Sequence, residues 1–349
     1  MKKKMYLLIT SLVLLSLLLV GCGGGNKSTN NQNEASDTTK TNTGAVTIKI
    51  GHVEPEDRST HKTLLDFKKN VEEQTNGDII VEIYPNASLG GDVQLTESVA
   101  MGTLDVALPS SSVLTTYAED FGILDMPYLF KNSESAFNAL DGDVGKYFDE
   151  KLADQGMHNL GYTYNGPRST TTNNKPIEKP EDLKGVKVRV MESPIFIDYY
   201  KTLGANPTPM SFNELYTGLQ QGTVDAQENP PSLIFANKFF EVQEYLSVDE
   251  HVHNFLAFVM NKAKFESLTP EQQEIITAEG KKCVESQRKM ELEDNEVAIE
   301  KLETEGGLVV NRLSEEQKNE FKEALKPMYD KYREQFGAEL FEMCEKYNK

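Results

Sequence analysis

Hydrophobic and polar positions beyond residue 44 follow a pattern that is typical of short strands separated by helices. The segments AVTIKIGHV (45–53) and IIVEIYP (79–85) have the period of two that predicts strands. Between them, Leu64, Phe67 and Val71 recur at helical spacing. A strand, a helix and a strand joined by short turns predict a parallel sheet covered by helices, which is the α/β class.

A short pattern occurs twice, as VAMGTLDVALPS (99–110) and as LQQGTVDAQENP (219–230). In each copy a helix is predicted to end at a glycine, the residue that favours left-handed helix caps, and a strand follows. The two copies predict two lobes of similar build. Because ligands of such folds bind outside the carboxyl ends of the strands, we expect residues 110–112 and 227–229 to form opposite walls of one cleft.

The C-terminal part has the pattern of helices. Thr269 to Gln272 has the features of a helix start, and a helix-favouring run continues to Glu305. A helix of about 35 residues spans about 50 Å, which is longer than one lobe, so it is predicted to cross both. A last helix is predicted from Ser314, with a stripe formed by Phe321, Leu325, Met328, Tyr332 and Phe336.

The first residues have the features of an export signal. Three lysines precede an apolar run from Met5 to Val20, shorter than the about 20 residues of a membrane span. LVGC at 19–22 predicts a lipoprotein signal peptide over residues 1–21 with lipidation of Cys22; an ordinary signal peptide or an uncleaved anchor are the alternatives. Residues 22–44 are almost entirely small or polar, which predicts a flexible tether.

Charge and motifs argue against several function classes. Removal of the signal would leave 33 basic against 55 acidic residues, so we expect no nucleic-acid partner. The chain has no hydrolase elbow, phosphate loop or zinc-protease motif, so we predict no enzyme, cofactor or metal. His251 and His253 could form a metal pair, but ordinary hydrogen-bonding histidines are favoured. Cys283 and Cys344 could pair or remain free thiols.

Two arginines are the clearest candidates for ligand chemistry. Only 6 of the 36 basic residues are arginine; Arg189 lies at the end of the predicted strand in GVKVRVMESP, and Arg168 lies in YNGPRSTTTN. The guanidinium fork binds a carboxylate through two parallel bonds, which lysine does not reproduce. A surface salt bridge or packing of the arginine stem over apolar surface is the alternative.

Several segments in order resemble one family. YNGPRSTTTN, EDLKGVKVRV, LGANPTPMSFNELYTGLQQGTVDAQENP, NKFFEVQEYLS, IKIGHV, IIVEIYPNASLGGD and GTLDVAL are similar to the extracytoplasmic solute-binding subunits of tripartite ATP-independent periplasmic (TRAP) transporters. The resemblance implies a two-lobed, periplasmic-binding-protein-like α/β fold with a hinge and a long helix crossing both lobes. We assign residues 45–165 plus 255–294 to lobe I and residues 166–254 plus 295–349 to lobe II.

The resemblance also implies the ligand site. It implies that Arg189 binds the ligand carboxylate and that Arg168 makes a second contact, with a carboxylate or a hydroxyl group. Members that bind sialic acid carry an acidic residue where this chain has Ser110, and many members carry a glutamate where it has Gln94. Asn229 is expected to donate a hydrogen bond to the ligand carboxylate, and Phe212 to lie against the ligand body. The complete predicted ligand site is Arg189, Arg168, Asn229, Phe212, Ser110, Ser111 and Gln94.

The resulting hypothesis is a binding protein that captures a sugar acid of the hexuronate or aldonate type for sodium-coupled TRAP uptake. The expected partners are the small organic acid, the TRAP membrane subunits and the membrane through a lipid anchor, with a monomer on the extracytoplasmic face of the cell membrane. The alternatives are a subunit that binds a C4-dicarboxylate, a surface sensor that presents its ligand to a receptor, and a surface hydrolase, for which no nucleophile and base are evident.

Overall fold

The computed structural model describes residues 44–349. The predicted signal peptide, the lipidation site Cys22 and the tether up to residue 43 lie outside the described residues.

The described residues form nine strands, all in one sheet. The predicted first two strands are present, although each is shorter than its pattern by one to three residues. The strands are β1 Val46–Gly51, β2 Ile79–Tyr84, β3 Val106–Ala107, β4 Met157–Thr172, β5 Lys187–Val190, β6 Asn206–Pro209, β7 Ala226–Asn229, β8 Tyr245–Asn261 and β9 Val309–Arg312.

Helices flank this sheet, with short 3-10 turns between some of them. The helices are α1 Ser59–Gln74, α2 Asp92–Ala100, α3 Ser133–Asp141, α4 Asp143–Asp154, α5 Pro194–Thr202, α6 Leu215–Gln220, α7 Pro231–Ala236, α8 Lys262–Glu266, α9 Pro270–Thr304, α10 Glu315–Ala324, α11 Lys326–Phe336 and α12 Ala338–Glu345.

The sheet has two parallel halves joined by two long antiparallel strands. Its order is β2-β1-β3-β8-β4-β7-β5-β6, and β9 pairs with β8 outside this path. β1 pairs in parallel with β2 and β3, and β5 pairs in parallel with β6 and β7. β4 and β8 run antiparallel between the halves. The predicted α/β class is confirmed, but the sheet is mixed because the chain passes between the halves as extended strands.

The long helix α9 packs on both halves, as predicted. It begins at a Thr269 cap, where the threonine and Gln272 side chains each bond the other residue's backbone N–H. Near its start, Ile276 and Val284 join the apolar cluster beneath β1 and α1. Near its end, Ile299 and Leu302 join the cluster beneath α6 and α7.

The prediction of one last helix from Ser314 is wrong in its length. Ser314 caps α10 with Gln317, but the helix ends at Ala324 and α11 begins at Lys326. Pro327 lies in the first turn of α11, where its missing N–H costs nothing, whereas in a continuous helix it would break a backbone hydrogen bond. Among residues 44–349, no helix is both long and apolar enough to span a bilayer.

We predict that Gly166 is required where β4 bends. Its φ is +123°, and an added Cβ would lie 2.6 Å from Pro230 Cβ. Strain and overpacking each cost about 1–3 kcal/mol, so Gly166→Ala should lower the free energy of unfolding by about 3 kcal/mol. Urea unfolding followed by circular dichroism measures this change.

Gly185→Ala is the matched control for this prediction. Gly185 has a φ of +78°, but a Cβ there would meet no atom within 4 Å. Its substitution should cost only the left-handed backbone term of about 1 kcal/mol. Equal losses in the two variants would contradict a steric requirement at Gly166.

Candidate functional site

Arg189 lies at the carboxyl end of β5 with only 2% of its surface exposed. Its Nε and Nη2 donate to the backbone carbonyl of Met210 at 2.9 and 2.7 Å, which fixes the plane of the guanidinium. Nη1 is buried and has no hydrogen-bond partner in the described part of the chain. Burial lowers the pKa of Arg189 to about 10, so it remains a cation at neutral pH. This orientation leaves one edge of a buried cation available to an anion.

Arg168, on β4, is fully buried in an ion pair with Glu228 on β7. Nε and Nη2 donate to the two carboxylate oxygens, and Nη2 is 2.8 Å from Oε1. His251 on β8 continues the network, with Nε2 3.2 Å from Glu228 Oε2 and Nδ1 3.0 Å from Asp249 Oδ1. The edge of Arg168 that would hold a ligand carboxylate through two bonds is therefore already taken by Glu228.

Asn254 on β8 links Arg168 to the predicted wall at residues 110–112. Its Oδ1 lies 3.4 Å from Arg168 Nη1, and its Nδ2 lies 3.2 Å from Ser110 Oγ. Arg168 Nη2 also donates to Asn229 Oδ1 at 2.9 Å. The walls expected at residues 110–112 and 227–229 thus meet across one buried polar network.

Asp92, at the start of α2, was missed by the sequence prediction. Its Oδ1 is buried without a hydrogen-bond partner in the described part of the chain. Burial raises its pKa to about 7, although the Ser110 backbone N–H and the Arg189 charge act in the opposite direction. The sequence signal was available, since Asp92 ends the LGGD motif and lies at a helix N-terminus.

The two halves of the sheet approach each other closely around this network. A Cβ added at Gly91, which precedes α2, would lie 2.5 Å from Ser211 Oγ in the turn after β6. Asp125 accepts from Ser112 Oγ at 2.6 Å and from Ser193 Oγ, next to α5, at 2.9 Å. The two walls of the predicted cleft are therefore in contact with each other around this network.

The remaining predicted residues have different surroundings. Ser111 is buried, and its Oγ has no partner among the described residues. Phe212 is half-buried, with its ring 6.0 Å from that of Phe239. Gln94 is exposed, and its Oε1 accepts from the Gly91 backbone N–H at 3.1 Å. Gln94 therefore shapes the turn before α2.

Other features lie outside the cleft. A cavity of about 520 Å³ opens beside His253 and Lys318 and contains none of the predicted ligand residues. Within residues 44–349, no group of three or more His, Cys, Asp or Glu side chains could hold a metal ion. Cys283 and Cys344 are free buried thiols, and burial raises the pKa of each to about 12.

A two-lobed α/β fold, a crossing helix and a buried polar network between the halves are typical of a solute-binding protein. Residues 50–335 match the DctP family, described as bacterial extracellular solute-binding protein, family 7. The chain therefore belongs to this family, which supplies the binding subunits of TRAP transporters.

Two curated relatives illustrate the range of ligands. The chain is 35% identical to the 2,3-diketo-L-gulonate-binding periplasmic protein YiaO of Escherichia coli, over 77% of this chain and 82% of that protein. It is 31% identical to the C4-dicarboxylate-binding protein DctB of Bacillus subtilis, over 84% of each.

Solved structures give the same range. The sugar acid binding protein DctPAm of Advenella mimigardefordensis, in complex with galactonate, has a TM-score of 0.84 at 32% identity and covers 87% of this chain and 98% of its own. A TRAP solute-binding protein of Shewanella oneidensis with bound succinate has a TM-score of 0.85 at 27% identity, over 88% and 100%. The protein is therefore a solute-binding protein of the TRAP type, which is a transport protein and not an enzyme.

We predict that the His251 network stabilises the fold only while His251 is charged. Burial lowers its pKa, but Asp249 and Glu228 outweigh burial and raise it to about 9 from 6.5. A raised pKa means that the stabilisation is complete below pH 6.5 and is lost as pH rises through 9. The difference in unfolding free energy between the wild type and His251→Gln should therefore shrink across this window in urea titrations.

His253→Gln is the control on the same strand. Burial lowers the pKa of His253 to about 4, so its charge does not change between pH 6.5 and 9. The difference between the wild type and this variant should stay constant there. A constant difference for His251→Gln as well would refute the charged network.

Proposed function

We propose that this protein captures a sugar acid with one carboxylate, of the hexuronate or aldonate type, and delivers it to sodium-coupled TRAP membrane subunits. The ligand carboxylate lies on the free edge of Arg189, and Asp92 accepts a hydroxyl donor of the ligand. The observation that carries the proposal is that one buried region holds both a half-used guanidinium, Arg189, and an unpartnered carboxylate oxygen, Asp92 Oδ1, each within range of the other's charge.

The balance of charge in the cleft favours a single carboxylate. Arg168 and His251 are offset by Glu228 and Asp249, with which they form buried pairs. Arg189, in contrast, has no paired carboxylate among residues 44–349, and it interacts electrostatically with Asp92. A second ligand carboxylate would be buried beside Asp92 without a cation, which is costly. A C4-dicarboxylate is therefore the second candidate.

Related proteins support both the class and the preference. A solved TRAP solute-binding protein from Sulfitobacter, 30% identical to this chain with a TM-score of 0.82, contains β-D-galacturonate. DctPAm contains galactonate. Charge-assisted hydrogen bonds contribute about 1.5–3 kcal/mol each, so a few of them in a closed cleft supply the about 8 kcal/mol of micromolar binding.

The remaining parts of the proposal concern placement. Lobe I consists of residues 45–165 plus 255–294, lobe II of residues 166–254 plus 295–349, and the cleft lies between them. Cys22 carries the lipid anchor after removal of residues 1–21, and the tether holds a monomer at the extracytoplasmic face of the membrane. The LVGC sequence and the polar composition of residues 22–44 support this placement.

We predict that Arg189→Ala abolishes most of the binding. Loss of two charge-assisted bonds should weaken the affinity for the preferred acid at least about 100-fold, or about 3 kcal/mol. Isothermal titration calorimetry with galacturonate, glucuronate, galactonate, succinate, malate and the neutral sugar galactose measures the change and identifies the ligand.

Two controls interpret that result. Arg189→Lys keeps the charge but loses the fork, so it should recover only a small part of the affinity. Arg312→Ala removes an arginine that is 57% exposed and should leave binding intact. Wild-type affinity in Arg189→Ala would exclude the carboxylate role, and binding of only a neutral sugar would exclude the proposed ligand class.

We predict that Asp92 sets the preference between the two ligand classes. Asp92 is ionised above its raised pKa of about 7. At pH 8, Asp92→Asn therefore removes the negative charge that disfavours a second carboxylate, and the ratio of sugar-acid to succinate affinity should fall about tenfold, or about 1.4 kcal/mol. Glu97→Gln, an exposed acid on the same helix, should leave the ratio unchanged. An unchanged ratio in Asp92→Asn would remove Asp92 from ligand selection.

A further inference from the structure

Arg58, just before α1, is a third buried arginine, with 3% of its surface exposed. Nε and Nη2 donate to Glu54, and Nη2 also donates to the backbone carbonyl and to Oδ1 of Asn165 at 3.1 and 2.9 Å. Nη1 donates to Glu291 Oε1 at 3.0 Å and to Ser232 Oγ. All three nitrogens of the guanidinium are engaged by protein acceptors, so Arg58 has no edge left for a ligand.

These partners belong to four different parts of the fold. Glu54 lies in the turn after β1, in the first half of the sheet, whereas Ser232 lies in α7, next to the second half. Asn165 lies on β4, which passes between the halves, and Glu291 lies on α9, which packs on both. One side chain therefore connects both halves with two of the elements that join them.

Strand β4 is irregular at this point. Its pairing with β8 shifts register between Tyr164 and Gly166. The absence of a side chain at Gly166 lets Pro230 and Glu291 approach, because an added Cβ would lie 2.6 Å from Pro230 Cβ and 3.4 Å from Glu291 Oε1. A bulge bends a strand locally, and this bend in the connection between the halves is called the hinge below.

The carboxylate of Glu291 has all its hydrogen-bond partners only when α1, α7 and α9 are in contact. It is fully buried and accepts from Ser59 Oγ and Ser232 Oγ, each at 2.5 Å, as well as from Arg58. A buried charge that loses its partners is strongly destabilising. Withdrawal of α7 from α1 would remove Ser232 from both charged groups, so the network favours the arrangement in which the halves are close.

We propose that Arg58 is a positioning residue that holds the hinge in its closed arrangement and prolongs the residence of the ligand without contacting it. It acts through Ser232, which lies three residues after the predicted ligand donor Asn229. The ligand-dependent part of this inference rests on the proposed function, whereas its effect on the distance between the halves does not.

The test is a distance measurement on the full chain between spin labels at Glu73, exposed on α1, and Lys201, exposed on α5. In Arg58→Met the unliganded protein should have a larger share of long distances than the wild type. With the best-binding acid of the calorimetric panel, ligand dissociation in stopped flow should become at least tenfold faster, while association changes less than threefold. Ser232→Ala should shift both quantities in the same direction by a smaller amount.

Arg288→Met is the matched control. Arg288, on α9, is buried like Arg58. It bonds the Tyr162 carbonyl on β4 and Asp141 at the end of α3, and it has no bond to the second half among the described residues. The Arg288→Met substitution should lower the melting temperature without changing the distances between the spin labels or the rate of ligand dissociation.

The outcomes separate the two proposals. If Arg58→Met lowers the melting temperature but leaves the spin-label distances and the ligand dissociation rate as in the wild type, Arg58 has only a structural role. If no acid in the panel binds the wild type, the proposed function fails, and the unliganded distances still decide the role of Arg58.

Discussion

The buried ion pair between Arg168 and Glu228 is the interaction on which the arrangement of the cleft depends. It ties β4 to β7, and His251 extends it to β8, so both crossing strands are fixed to the second half of the sheet. Because both charges are fully removed from water, loss of one partner would leave the other uncompensated at a cost of about 3–5 kcal/mol. The pair therefore constrains the strands that position every other polar group of the site.

This constraint explains why two arginines of similar burial have different tasks. The guanidinium of Arg168 donates to the carboxylate of Glu228, whereas that of Arg189 donates through one side to the Met210 carbonyl. A carbonyl orients the guanidinium but does not neutralise it, so Arg189 keeps its full charge. Arg168 is thereby a fixed support, while Arg189 retains the capacity to attract an anion.

The sequence predicted the elements better than it predicted the roles of the side chains. Period-two alternation identified β1 and β2, and the glycines at 102 and 222 have the expected left-handed φ of 76° and 68°. The antiparallel β4 and β8 were not predicted, because a strand buried on both faces lacks alternation. Glu228 and Asn254 were missed since their roles arise from pairs far apart in the chain, which no local pattern records. Asp92 was missed although the LGGD motif at a helix N-terminus was visible.

The break between α10 and α11 illustrates the same limit at short range. The apolar stripe through Leu325 and Met328 is continuous in sequence, and it is buried in the structure as well. Side-chain periodicity thus predicted the buried face correctly, while the backbone requirement of Pro327 decided where the helix ends.

The connection of the two halves by β4 and β8 has a consequence for the order of folding. β3 pairs with β8 through Val106 and Met260, and β9 pairs with β8 through Val309 and Tyr245, so neither half is a continuous stretch of chain. Loop-closure entropy must be overcome before such distant pairings form, which slows folding. The first half cannot close its sheet before β8, which ends at Asn261, is available, and β9, which ends at Arg312, adds to the same strand. Because both halves use β8, they are expected to fold as one cooperative unit.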